Sequence, residues 1–147
     1  MPDLRVQALK LLTRRDHSRA ELRAKLASEA ETSEALDAVL DALQGERLLS
    51  DQRYAMQRVV AKARRFGDTR IKHDLRLHGV GEADIAAALP EGGNEAGRCH
   101  AVWARKFAGS PQTPAERGKQ MRFLQYRGFS IEAIQQAMRR GLGGEDE

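Results

Sequence analysis

Residues 70–80 read RIKHDLRLHGV and residues 121–130 read MRFLQYRGFS. Set 49 positions apart, they share one punctuation. Leu75 falls on Leu124, Gly79 on Gly128, Val80 on Phe129 and Gly81 on Ser130. A glycine after an apolar helical stretch is the residue that ends a helix in the left-handed region without strain. The apolar residue after it packs back on position C3 of the helix, here Leu75 or Leu124. The next residue, Gly81 or Ser130, suits the N-cap of a new helix. Each stretch therefore reads as helix, stop, clasp and restart. The aromatic and basic residues of MRFLQYRGFS are first the fold's punctuation. Arg122, Arg127 and the Tyr126 hydroxyl are left to project from a rigid helix end.

The same period runs through the chain. Leu26, Leu75 and Leu124 share it, as do Leu36, Ile85 and Ile134, and Leu40, Leu89 and Met138. Thr32, Gly81 and Ser130 supply N-caps in one register. The first unit departs at its helix stop, where Ala30 and Glu31 replace the glycine and the clasp. The spacing predicts an all-α chain of three three-helix units. Helices are expected near 4–14, 19–29 and 33–45, then 51–64, 69–78 and 82–89, then 95–108, 115–127 and 131–140. Ser18 with Glu21 and Thr113 with Glu116 have capping-box spacing, and Pro114 suits the first helical position. Domain boundaries follow at 1–50, 51–92 and 93–143, with an acidic tail at 144–147. Units this small are expected to share their apolar burial by stacking into an elongated, curved array.

Composition agrees with a helical chain. Charged residues are 31%, apolar ones 41% and aromatics 5% of 147 residues. No apolar run has the length of a membrane span, and the N-terminus lacks a signal-peptide pattern, so a cytoplasmic protein is expected. One cysteine, Cys99, excludes an intrachain disulfide and reads as a buried or incidental thiol. His17, His73, His78 and His100 are scattered, without the spacing that puts two ligands on one helix face. No motif for a nucleophile, metal or phosphate-binding loop is present. The reading is of a protein that is not an enzyme and holds no cofactor or metal.

Charge is uneven. Residues 1–50 carry 8 Lys/Arg against 9 Asp/Glu, residues 51–92 carry 8 against 6, and residues 93–147 carry 9 against 6. Arg14-Arg15 and Arg64-Arg65 mark the first turn of their units, with Arg15 and Arg64 in register. Arg70, Lys72 and Arg76 follow on the middle helix of the second unit, Lys119, Arg122 and Arg127 on that of the third. Asp74 stands four residues after Arg70, as in a surface ion pair. Basic residues alone read as a solubilising helix face. Their repeated placement points to a partner with negative charge. Arg14, Arg15, Arg64, Arg65, Arg70, Lys72, Arg76, Lys119, Arg122, Tyr126 and Arg127 are the candidate contact residues.

Four segments carry a resemblance. LLTRRDHSRAELRAKL (11–26), ERLLSDQRYA (46–55), RIKHDLRLHGV (70–80) and RFLQYRGFS (122–130) resemble, in order, the signatures of the RecX family of bacterial recombination regulators. The match covers about residues 5–140. Arg47 departs from it, standing where the family usually has a glycine or small turn residue. The resemblance implies tandem three-helix repeats and a protein that binds RecA, the recombinase that polymerises on single-stranded DNA. It implies inhibition of RecA ATP hydrolysis, strand exchange and coprotease activity, which limits filament growth in recombination and the SOS response. It implies no cofactor; the protein is expected to act as a monomer. Some members bind DNA directly. The alternative is a direct DNA-binding helical module without recombinase contact, possible because each unit holds three short helices.

Overall fold

A computed structural model describes residues 3–143, with side chains through residue 139. The expected acidic tail at 144–147 lies outside the described residues. Nine α-helices form three consecutive triplets, and no strand occurs among the described residues. The first triplet is α1 (Leu4–Arg14), α2 (Arg19–Leu26) and α3 (Ser33–Gly45). The second is α4 (Asp51–Ala63), α5 (Asp68–Leu77) and α6 (Glu82–Ala88). The third is α7 (Glu95–Lys106), α8 (Pro114–Tyr126) and α9 (Ile131–Gly143).

The helix ends are set by the residues the period singled out. Gly79 has φ 80° and Gly128 φ 92°. The amide of Val80 donates to the Leu75 carbonyl at 3.0 Å, and that of Phe129 to Leu124 at 3.2 Å. These are the long bonds of a Schellman turn. Thr32 and Ser130 accept from the amides of Ala35 and Ala133. Where the glycine is missing, α2 tightens into a short 3₁₀ turn, Ala27–Glu29, and leaves through an extended Ala30. The capping boxes form by half. Ser18 and Thr113 cap the amides of Glu21 and Glu116. Glu21 instead binds Arg15, and Glu116 accepts from the amide of Gln112. Arg47 follows α3 at φ 64°, a left-handed site held by a residue with a Cβ.

One expectation is corrected. The units do not share a core by stacking. Three apolar clusters form, one inside each triplet. Ala8, Leu22, Leu26, Leu36, Leu40, Leu43 and Leu49 make the first. The second gathers around Val59, Ile71, Leu75 and Ile85, the third around Val102, Trp103, Leu124, Ile134 and Met138. In each triplet the third helix lays an apolar face against its partners, and seven to ten buried residues close the space.

The junctions between units are polar and repeat one design. The first amide of each middle helix donates to the carboxylate that opens the next unit: Arg19 to Asp51 at 2.7 Å, Asp68 to Glu95 at 3.0 Å. The residue before it meets the carbonyl preceding the next unit's glycine. Ser18 Oγ donates to the His78 carbonyl at 2.6 Å, and the Gly67 amide to the Arg127 carbonyl at 2.9 Å. The glycines permit this approach. A Cβ on Gly79 would strike the Ala20 Cβ, and one on Gly128 would strike Arg70.

Candidate functional site: a cation cluster at the second junction

The loop between α4 and α5 places Phe66 at the junction of the second and third units. Its carbonyl accepts from Arg98 Nη2 at 2.8 Å, while Arg98 Nε reaches the Ala63 carbonyl at 3.0 Å and Nη1 pairs with Asp68 at 3.0 Å. The turn is thus fixed from α7. Around the half-buried Phe66 ring stand four cations. Arg70 Cζ is 4.3 Å from the ring centroid, Arg65 Cζ 5.4 Å, Lys62 Nζ 5.5 Å and Arg127 Cζ 5.7 Å. Arg70 also faces the Tyr126 ring at 5.5 Å, and Arg127 the Phe123 ring at 5.0 Å. Phe123 packs edge-on against Phe107, with Lys106 Nζ 5.3 Å above it.

Main-chain contacts hold Arg70 and Arg127, and Arg105 beside them. Arg70 Nη1 donates to the Tyr126 carbonyl at 3.2 Å, Arg127 Nη1 to the Arg65 carbonyl at 3.0 Å, and Arg105 Nη2 to the Arg64 carbonyl at 2.7 Å. Neutral acceptors orient the guanidiniums without cancelling their charge. Among the described residues, no ion pair includes Lys62, Arg65, Arg70 or Arg127. The nearby carboxylates hydrogen-bond to other arginines, although the Lys62 charge also acts on Asp74. Asp68 serves Arg98, and Asp74 is held by both Arg58 Nε and Nη2, at 2.7 and 3.0 Å. The expected Arg70–Asp74 pair therefore does not form, because Asp74 turns toward α4 and Arg70 toward Phe66. Burial acts to raise the Asp74 carboxyl, yet the Arg58 hydrogen bonds and charge bring it below its ordinary value. A cation over an exposed ring gains about 0.5–1 kcal/mol. Four like charges gathered around one ring repel one another, and an anion placed among them would offset that repulsion.

Of the sequence-predicted contacts, Arg65, Arg70, Tyr126 and Arg127 come together here. Arg64 is exposed beside them. The others do not join. Arg15 binds Glu21 at 2.5 Å, and Arg76 binds Glu82 through Nε and Nη2 at 2.7 and 2.9 Å. Lys72 faces the same Glu82. Arg14 lines a hollow of α1 and α2, Lys119 one between α8 and the loop before it, and Arg122 folds back over Gly118. The like charges of the first and second turns thus differ in fact, because Glu21 neutralises Arg15. Sequence reasoning missed Lys62, Phe66, Arg105 and Lys106. The spacing of Lys62, Phe66 and Arg70 by four was the available signal, obscured because a turn, not one helix, joins them.

Burial first, and Glu95 second, push the Cys99 thiol up to about 12. No group of three His, Cys, Asp or Glu that could hold a metal occurs among the described residues. No described helix is long and apolar enough to cross a membrane.

Comparison with known proteins matches this arrangement unit by unit. Residues 5–43, 50–89 and 95–138 match the RecX first, second and third three-helix domains. The regulatory protein RecX of Ralstonia pickettii (strain 12J) is 41% identical over 98% of this chain and 89% of its own length. That of Herbaspirillum seropedicae is 42% identical over 98% of this chain and 94% of its own. Among solved structures, RecX from Lactobacillus salivarius superposes with a TM-score of 0.81 at 19% identity, over 93% of each chain. A second regulatory protein RecX structure gives 0.74 at 24% identity, over 90% of this chain and 72% of that one. At such identities these two show the fold. With three domain matches in order and relatives above 40% identity along the chain, the protein belongs to the RecX family of regulatory proteins.

Proposed function

We propose that the protein binds the RecA filament on single-stranded DNA and restrains it, lowering RecA ATP hydrolysis, strand exchange and coprotease activity without catalysis or a cofactor of its own. The observation that carries this reading beyond family membership is the cluster of Lys62, Arg65, Arg70 and Arg127, none of them in an ion pair among the described residues, on a fixed junction. A filament offers an extended surface of acidic side chains and phosphate. Three linked rigid units can touch it at several points, and linkage raises the effective concentration of each later contact. Bridging successive protomers opposes the rearrangements that ATP turnover demands.

The test is ATP hydrolysis by preformed RecA–single-strand filaments to which the protein is added. Hydrolysis is expected to fall as the protein saturates the filament. Unchanged hydrolysis at saturation overturns the reading.

A further inference from the structure

We infer that the cluster around Phe66 binds the phosphodiester backbone of single-stranded nucleic acid, with the strand seated across the junction of the second and third units. The inference rests on the reading above and sharpens it by naming what this cluster touches in the filament, the strand rather than the recombinase.

The cations come from both sides of the junction: Lys62, Arg65 and Arg70 from the second unit, Arg127 from the third. Each guanidinium has five N–H donors. The structure uses one nitrogen of Arg70 and one of Arg127 on main-chain carbonyls. Their remaining edges are available to paired oxygens in the forked geometry that suits phosphate. Because these two contacts exist before any ligand arrives, Arg70 and Arg127 have little side-chain freedom left to lose on binding.

Phosphate and carboxylate both fit a guanidinium fork, and Tyr126 decides between them. Its side chain projects beside the cluster at 77% exposure, with much of the ring open to solvent. Arg70 stacks between this ring and Phe66. A cationic groove next to an open aromatic face is the arrangement that takes an unpaired base together with its backbone. A carboxylate-bearing partner would leave the exposed part of the ring uncovered, and a duplex, which keeps its bases stacked, would do the same.

The experiment measures binding of a labelled oligothymidylate to the full chain, with no recombinase present, by fluorescence anisotropy over a salt series. For three or four phosphates, log affinity against log salt is expected to fall with a slope of about −2 to −3. Lys62→Gln with Arg65→Gln is the variant of choice, because neither side chain makes a junction hydrogen bond. It should reduce that slope by about 1.4 with the thermal midpoint unchanged. Tyr126→Ala should weaken binding about five- to hundredfold with the slope unchanged. No oligothymidylate binding at low salt overturns the inference, as does equal affinity for a duplex of the same length. So does binding of a polyglutamate peptide that is sensitive to these substitutions while the oligothymidylate is not bound. An unbound oligothymidylate with filament ATPase still inhibited removes this site and leaves the proposed function standing. A bound one with ATPase uninhibited removes the proposed function.

Discussion

His17 shows how the same register position takes different duties. It stands 49 residues before Phe66, in the turn that opens the first middle helix. There it is buried, with Nδ1 3.0 Å from the Arg15 carbonyl and Nε2 3.0 Å from Lys25 Nζ. An Nδ1–H donating to the carbonyl leaves Nε2 to accept from the ammonium, which describes a neutral ring. Burial pushes its pKa down. The Arg15 carbonyl opposes that, the Arg15 and Lys25 charges assist it, and Glu21 opposes it. The fold therefore favours the neutral form. Its contribution to stability is complete above the ordinary histidine value of about 6.5 and declines as pH falls through it, since the unfolded chain takes the proton first. Urea midpoints should drop between about pH 7.5 and about pH 5.5. The drop should be smaller in His17→Phe, which installs the residue used by the second unit.

At the scale of elements, the junction turns carry the tightest constraints. Gly67 has φ −83°, open to any residue, yet a Cβ there would strike the backbone of Gly128 and Phe129. Backbone cannot swing aside as a side chain does. Gly67→Ala should therefore separate the second and third units, with a loss of about 1–3 kcal/mol from strain and broken amide bonds. Denaturation should report the loss, and helicity by circular dichroism should stay near wild type. The same turn is built differently in the third unit. The amides of Gly67 and Asp68 face the next unit, but their counterparts at Glu116 and Arg117 are taken by Thr113 Oγ1 and the Thr113 carbonyl. Helix α8 begins at Pro114, so its own first turn takes up the amides that in the second unit face a neighbour. Trp103 Nε1 donates to Gln120 at 2.8 Å, and Gln120 Nε2 to the Gly109 carbonyl at 3.2 Å. That chain of bonds ties the preceding loop to the third core.

For the whole molecule, three separate cores joined by polar contacts imply loosely coupled stability. Removing apolar volume from one core should be felt there first. Leu36→Ala in the first unit should cost about 2–5 kcal/mol locally. Amide exchange should quicken across α1–α3 by much more than across α7–α9. Uniform loss of protection would mean that the units fold as one. A ligand that touches both sides of one junction, as the cations around Phe66 are placed to do, would couple the stabilities of the two units it bridges.

The sequence by itself determined the helices, their caps and the three-unit repeat. Gly79, Gly128, Thr32 and Ser130 act through neighbours within a few residues, and local backbone geometry is legible locally. It also marked Arg47, whose left-handed turn shows why a glycine would be expected there. Tertiary structure decided which charges remain available. Arg15 and Arg65 occupy comparable turns, but Glu21 neutralises the first while the second faces the Phe66 ring. Asp74 lies four residues from Arg70 and binds Arg58 on another helix. Ion pairing depends on the direction of long side chains across packed helices, and that direction is set by contacts far apart in the chain. The separation into three cores was likewise settled by packing, because an apolar stripe does not say which face it will meet.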